Sequence, residues 1–174
     1  MRSVIVQVAT SADGYIARPD GDVKWLDRPS PPGDYGMREF YRTIDTVLMG
    51  RKTWEIGIKL GQSHYSGKKN YVFSRTPREA EHVEIVTEEP VTFVRRLREQ
   101  PGKDIWLVGG GELIATLIDG GEVDRFLIHV IPVLIGEGIP LIAPRRREIE
   151  LAMQGTKTYP DGVVLLDYSV RRNG

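Results

Sequence analysis

Three consecutive glycines, Gly109–Gly111, separate the apolar run "IWLV" from the helix-like apolar run "ELIATLID". Where a strand ends and a helix begins, bare backbone presents unpaired amides and the positive end of a helix dipole to an anion. The stretch therefore predicts a phosphate or pyrophosphate cradle, and the alternative is a tight turn without a ligand. It is not a Rossmann fingerprint, because Ile114 replaces the third glycine, and it is not a P-loop, because no Gly-Lys-Ser/Thr follows.

Two further strand ends carry groups suited to an anion. In "TVLMGRKTWE" a strand runs into Gly50–Thr53, which places two cations and a hydroxyl at the start of a helix. Cations oppose the dipole at that end, so a nearby anion would make the arrangement favourable. In "NYVFSRTP" a strand ends in Ser74–Thr76. The alternative for these stretches is a solvated basic turn.

The elements that position these residues alternate along the chain. Helical spacing or end signals predict four helices, in "DYGMREFYRTI", "RKTWEIGIKL", "PVTFVRRLREQ" and "GELIATLID", between short apolar strands. After Asp119 strands dominate, including a long one in "VDRFLIHVIPVLIG" and a pair joined at Pro160-Asp161-Gly162. This order predicts one α/β domain, residues 1–174, with a largely parallel central sheet and an antiparallel edge. The stretch "SADGYIARPDGDVKWLDRPSPPGD" is predicted to be a long loop.

Because ligands of open α/β sheets lie beyond the carboxyl ends of the strands, the three strand ends are expected along one edge. We call the three strand ends Gly50–Thr53, Ser74–Thr76 and Gly109–Gly111 stations. Three stations suited to anions suggest a long ligand with several phosphates. A dinucleotide is such a ligand, and the serine and arginine of Ser74–Thr76 would favour one with a 2′-phosphate.

Composition excludes several classes of function. The 24 basic and 24 acidic residues balance, so we expect neither a nucleic-acid partner nor a membrane partner. The absence of cysteine excludes disulfides, Cys-ligated zinc and thiol catalysis, and we expect a cytoplasmic protein. No metal site is predicted, because His64, His82 and His129 are scattered in sequence.

A family resemblance rests on five stretches in order: "SADGYIA", "LMGRKTWE", "VFSRT", "LVGGGELIATLI" and "IPVLIGEGIPLI". From the first strand to about Ile142, the chain resembles the dihydrofolate-reductase-like superfamily. It is most similar to the C-terminal reductase domain of the bifunctional deaminase-reductases of riboflavin biosynthesis, and to their stand-alone relatives. The resemblance implies a three-layer fold with about four helices, and a homodimer.

The resemblance also implies NADPH as the cofactor. By the family pattern Gly50–Thr53 would hold phosphate, Ser74 and Arg75 would face the 2′-phosphate, and Ile16 would lie against the nicotinamide ribose. Val108 to Leu113 would wrap the pyrophosphate and nicotinamide, with a cis bond between Gly109 and Gly110. The implied cofactor residues are Ala9, Ile16, Gly50, Arg51, Lys52, Thr53, Ser74, Arg75, Thr76, Val108, Gly109, Gly110, Gly111, Glu112 and Leu113.

For the substrate, the resemblance points to Gln7, Asp13, Trp25, Asp27 and His129. Three of them have a structural alternative: a turn at Asp13, loop anchorage at Trp25, and a core residue at His129. The family pattern has a lysine where Gln7 stands, and its Asp-x-Pro-x-Leu-x-x-Arg segment is replaced by "EIGIKLGQSHYSGKK".

The catalytic acid of dihydrofolate reductases lies in the helix before the "MGR" strand, and counting back from Gly50 without a gap reaches Asp34. Aligning Phe40 instead places Gly36 there, and Glu39 is a further candidate. The alternative role of Asp34 is a helix N-cap.

These inferences predict an NADPH-dependent reductase acting on a small nitrogen heterocycle, most like 5-amino-6-(5-phosphoribosylamino)uracil reductase. One alternative is a dihydrofolate reductase. A second alternative is a non-catalytic NADP(H)-binding protein. No zinc deaminase is predicted, because the sequence has neither H-x-E nor P-C-x-x-C.

Overall fold

A computed structural model describes residues 1–173, in which strands and helices alternate up to α4. The strands are β1 (Val4–Ser11), β2 (Tyr15–Ala17), β3 (Ile44–Gly50), β4 (Lys69–Phe73), β5 (Glu84–Val86), β6 (Asp104–Gly109), β7 (Arg125–Ile131), β8 (Ile139–Pro140), β9 (Leu151–Thr158) and β10 (Val164–Val170). The α-helices are α1 (Met37–Thr43), α2 (Arg51–Lys59), α3 (Pro90–Glu99) and α4 (Gly111–Asp119). All four predicted helices are present.

Eight strands form one sheet in the order β5-β4-β3-β6-β1-β7-β10-β9. Neighbours from β5 to β7 are parallel, whereas β10 runs antiparallel to both β7 and β9. The prediction of a mostly parallel sheet with an antiparallel C-terminal edge is therefore confirmed.

Alternating side chains of the central strand β1 separate two hydrophobic cores. Val4, Val6 and Val8 pack into the core beneath α3 and α4, while Ile5 packs into a second core with Phe40 of α1. Because successive strand residues point to opposite faces, one apolar strand serves both cores. The fold thus has three layers, with the sheet between two pairs of helices.

The predicted long strand after α4 is shorter than expected. β7 ends at Ile131, immediately before Pro132. Proline has no amide hydrogen to donate to a sheet ladder, so the strand stops there. β7 lies between β1 and β10, and β5 and β9 form the two edges of the sheet.

The predicted long loop between β1 and α1 contains two short elements. β2 pairs antiparallel with β8 as a separate two-stranded sheet, and Lys24–Leu26 form one 3₁₀ turn. The pairing could not be predicted from local pattern, because the partners lie more than 100 residues apart in sequence.

A network of buried charged side chains connects the amino ends of the central strands to helix α3. The Arg98 guanidinium of α3 donates to Glu122 Oε2 at 2.8 Å, to Asp124 Oδ2 at 2.7 Å and to the Arg2 carbonyl at 3.0 Å. Burial of the guanidinium is offset by partners that accept hydrogen bonds from all three of its nitrogens. This network lies at the end of the sheet opposite to the three predicted stations.

The helices are short, between 7 and 10 residues. Pro90 opens α3 and Gly120 closes α4, as the sequence predicts. No helix in residues 1–173 is long and apolar enough to span a bilayer.

Candidate functional site

Two of the three predicted stations meet at the carboxyl edge of the parallel strands. β3 ends at Gly50 and the adjacent β6 ends at Gly109. A Cβ atom on Gly50 would lie 3.4 Å from the amide nitrogen of Gly110. The third station, Ser74, directly follows β4, which pairs with β3. The predicted alignment of the stations along one edge is therefore present.

Helices α2 and α4 both begin at this edge without a side-chain cap. Their N-cap residues are Gly50 and Gly110, and neither helix has a side-chain hydrogen bond to its first amides. In contrast, α3 is capped by the Glu89 carboxylate, which accepts from the amides of Val91 at 3.0 Å and Thr92 at 2.8 Å. The free first-turn amides of two adjacent helices form a concentrated site for an anion.

Side chains at two positions of the glycine run would lie too close to neighbouring residues. The Gly109–Gly110 peptide bond is cis, as the family resemblance implied. A Cβ on Gly110 would lie 3.1 Å from Thr53 Oγ1, and one on Gly111 would lie 3.1 Å from the Pro140 carbonyl oxygen. Gly109 has φ +137°, a conformation that side chains rarely adopt. Glycine at these positions therefore lets the backbone pack closely against Thr53 and Pro140.

The cations beside these helix starts differ in their partners. Arg51 lies 4.0 Å from Glu55, which also pairs with Arg78 at 3.1 Å. Lys52 and Arg75 are exposed and make no ion pair within residues 1–173. Two cations without a partner near the free helix starts suit a phosphate ligand.

Ser74 and Thr76 shape the turn that carries Arg75. The Ser74 hydroxyl donates to the Thr76 carbonyl at 2.8 Å, and the Thr76 amide lies 3.3 Å from the same hydroxyl oxygen. Ser74 is buried, whereas Arg75 and Thr76 are exposed. The structure gives Ser74 a turn-forming contact and leaves Arg75 accessible to a ligand.

The remaining predicted cofactor residues vary in exposure. Ala9, Ile16 and Val108 are half-buried. Leu113 packs into the core beneath α4, so its backbone is the part left for a cofactor. The exposed Glu112 pairs with Arg145 at 3.0 Å, away from the core.

On the substrate side, the structure brings Gln7 and His129 together. Gln7 Nε2 lies 3.2 Å from His129 Nδ1, and His129 Nε2 lies 3.0 Å from the Tyr35 carbonyl oxygen. Both side chains are buried, at 8% and 7% exposure. Burial lowers the pKa of His129, although its hydrogen bond to the Tyr35 carbonyl opposes the shift. The imidazole is therefore neutral near neutral pH.

Sequence reasoning missed a group of hydrogen bonds that joins the long loop to the β9–β10 turn. The Tyr35 hydroxyl donates to the Asp161 carboxylate, and Arg28 Nη2 donates to the Asp161 carbonyl at 2.8 Å. The Tyr35 and Tyr159 rings meet edge to face at 5.0 Å. Asp161 was predicted only as a turn residue, and no periodic pattern marks Arg28 or Tyr35.

Asp34 has the geometry of a helix cap. Its two carboxylate oxygens accept from the amides of Gly36 and Arg38, both at 3.0 Å. These amides, Arg38 first, lower the pKa of the exposed Asp34 carboxyl. A general acid needs a raised pKa, so this geometry favours the alternative role as a cap over the predicted catalytic role.

Asp13 joins two loops, since its carboxylate accepts from the amides of Gly136 at 2.8 Å and Ile135 at 3.3 Å. The exposed Asp27 has no side-chain hydrogen bond within residues 1–173. Trp25 Nε1 is the one buried side-chain polar atom in that range without a partner. A buried donor without an acceptor is costly, and both predicted roles of Trp25, ligand contact and loop anchorage, stay open.

The chain is similar to several known proteins. Residues 2–165 match the RibD C-terminal domain family. The uncharacterized protein YwjB of Bacillus subtilis (strain 168) is 38% identical over 167 residues, which span 94% of this chain and 96% of YwjB. A protein of Shewanella sp. PV-4 described as a riboflavin biosynthesis protein has a TM-score of 0.87 and 25% identity, covering 98% of this chain and 99% of its own.

A bifunctional enzyme shares the fold over part of its length. It is the diaminohydroxyphosphoribosylaminopyrimidine deaminase/5-amino-6-(5-phosphoribosylamino)uracil reductase of Thermotoga maritima, with a TM-score of 0.72 and 15% identity. The match covers 98% of this chain but 57% of the Thermotoga chain. The chain studied here belongs to the RibD C-terminal domain family and has its dihydrofolate-reductase-like fold.

Proposed function

We propose that this protein is an NADPH-dependent reductase that delivers hydride to a small substrate containing a planar nitrogen heterocycle. The substrate class is that of 5-amino-6-(5-phosphoribosylamino)uracil reductases. One observation carries the proposal: α2 and α4 start side by side with free amides, whereas α3 is capped by its own Glu89. Membership of the RibD C-terminal domain family supports it.

The residues at the edge fit a dinucleotide with an extra phosphate. Gly50 and Gly109–Gly111 leave bare backbone for a pyrophosphate, and Lys52 and Arg75 offer cations without protein partners. NADPH, when bound there, supplies the hydride. In this proposal Arg75 faces the 2′-phosphate.

In this proposal the chain orients the substrate, and three of its carboxyl groups are poor proton donors. Asp13, Asp34 and Asp161 all have pKa values below the ordinary range, because hydroxyl or amide groups donate to their carboxylates. All three are therefore ionised at neutral pH and are poor general acids. The capping role of Asp34 also weighs against the alternative of a true dihydrofolate reductase.

Isothermal titration calorimetry with NADPH and NADH tests the cofactor assignment. We expect micromolar binding of NADPH and weaker binding of NADH. Lys52→Gln should weaken NADPH binding about tenfold, because one charge-assisted contact to phosphate is lost. The matched control is Lys59→Gln, which lies at the other end of the same helix.

Three outcomes would contradict the proposal. Absence of NADPH binding by the wild-type protein would remove the cofactor assignment. Binding of NADPH without its oxidation, across a panel of pterins and ribosylaminopyrimidines, would favour the non-catalytic alternative. Equal losses in Lys52→Gln and Lys59→Gln would show that the helix start is not the phosphate site.

A further inference from the structure

The hydrogen bonds around His129 determine which end of the Gln7 side-chain amide is left without a hydrogen-bond partner. The chain of contacts begins at the Tyr35 carbonyl, which can only accept a hydrogen bond. His129 Nε2, 3.0 Å away, must therefore carry a proton and donate. In a neutral imidazole the other nitrogen, Nδ1, is then an acceptor.

Gln7 must in turn direct its amino group to His129. Of the two ends of the amide, only the Nε2 amino group can donate to an accepting Nδ1, and the two atoms lie 3.2 Å apart. The Trp106 indole donates to the Gln7 carbonyl of the main chain at 3.0 Å, which holds the backbone of β1 at this point. The side-chain oxygen Oε1 is left over. Within residues 1–173 it has no hydrogen-bond partner, and it is not sealed from solvent.

This oxygen lies on the sheet face that leads to the proposed cofactor edge. The side chains of Ile5, Gln7 and Ala9 lie on the same face of β1, because every second side chain of a strand shares a face. Ile5 is buried against Phe40 of α1, and Ala9, nearer the carboxyl end, is half-buried. Gln7 therefore lies between the buried Ile5 and the half-buried Ala9 on the face of β1 that α1 covers, and it retains 8% exposure.

We propose that Gln7 Oε1 is a hydrogen-bond acceptor that selects heterocycles bearing a ring N–H, and that His129 is the positioning residue that fixes this polarity. The inference rests on the proposed function and narrows its substrate class to lactam-type rings, such as uracils, whose ring N–H can donate. His129 does not contact the substrate in this account. It acts by holding the Gln7 amide in one of its two orientations.

The first test is independent of any ligand. Long-range nitrogen–proton correlation NMR at neutral pH reports which imidazole nitrogen of His129 carries the proton. We expect the Nε2–H tautomer. An Nδ1–H tautomer or an imidazolium would overturn the inference, because Gln7 would then direct its oxygen to His129 and its amino group to the site.

The second test compares two probes in the presence of NADP⁺: diaminouracil, and its dimethyl derivative in which both ring N–H groups are methylated. We expect the wild-type protein to bind diaminouracil about tenfold more tightly. Gln7→Met keeps nearly the same length and removes the acceptor, so the preference should largely vanish. The control Gln154→Met alters an exposed glutamine on β9 and should keep the wild-type preference.

His129→Phe separates positioning from a purely structural role. Loss of the imidazole should reduce the preference for diaminouracil, whereas a structural defect would weaken both probes equally. A preference that persists unchanged in Gln7→Met would be steric in origin and would overturn the inference. If the tautomer is as expected but calorimetry shows no NADPH binding, the proposed function fails while the assigned orientation of Gln7 stands.

Discussion

At Gly110, we expect one added methyl group to weaken ligand binding much more than it lowers stability. Its φ of −85° is open to alanine, but the added Cβ would lie 3.1 Å from Thr53 Oγ1, at the junction of the two free helix starts. We expect Gly110→Ala to weaken NADPH binding at least about tenfold, with a much smaller change in thermal stability. Calorimetry and thermal unfolding measure the two effects.

The matched control is Gly155→Ala on the edge strand β9, where an added Cβ meets nothing within 4 Å. That variant should bind NADPH like the wild type. Normal binding by Gly110→Ala would mean that Gly109–Gly111 forms a tight turn and not a cradle.

At the scale of elements, the C-terminal end of α4 is tied to the segment that follows β8. Asp119 pairs with Arg147 and with Arg145, the latter at 2.9 Å, and hydrogen bonds from Arg147 first lower the pKa of Asp119 to about 2. A carboxyl whose pKa is depressed in the folded state stabilises the fold above its unfolded pKa. This stabilisation is lost as the pH falls through about 2.

We therefore expect Arg147→Gln to flatten the fall in the free energy of unfolding between about pH 4 and pH 2. The effect should be about 1 kcal/mol or less, because the pair is partly exposed and screened by solvent. Urea unfolding at several pH values measures it. Arg171→Gln, which removes a longer and fully exposed pair at 3.6 Å, is the control and should leave the pH dependence unchanged.

At the scale of the whole molecule, the buried ion-pair network that stabilises the fold and the proposed binding site lie at opposite ends of the sheet. The ion pair of Arg98 and Glu122 is buried, with side chains 6% and 8% exposed. Replacing Glu122 by glutamine leaves a buried guanidinium with less compensation, so we expect a loss of about 3 kcal/mol or more in unfolding free energy. NADPH affinity of the folded protein should not change.

Denaturant unfolding combined with calorimetry checks both statements. The control, Arg96→Gln, breaks an exposed pair with Glu88 and should cost less than about 1 kcal/mol. A large loss of NADPH affinity in Glu122→Gln at temperatures where the variant is folded would show that the two ends are coupled.

The sequence predicted features that depend on local pattern. Apolar periodicity located the four helices, and the glycine run and the cations marked three strand ends that meet at one edge. Features that depend on distant partners were missed. Tyr35 and Asp161 lie more than 100 residues apart in sequence, and each belongs to a loop or turn whose composition shows no periodicity. The roles of Gln7 and His129 likewise depend on their hydrogen-bond partners, which lie far apart in sequence and meet only in the folded protein.

The central position of β1 bears on the order in which the protein can form during synthesis. β1 is made before its partners β6 and β7, which end only at Gly109 and Ile131. Closing so long a loop makes native pairing slow relative to local helix formation. A nascent chain must therefore keep an apolar strand unpaired until β6 and β7 have been made. The edge where β3 and β6 end side by side likewise cannot form before Gly109 has been made.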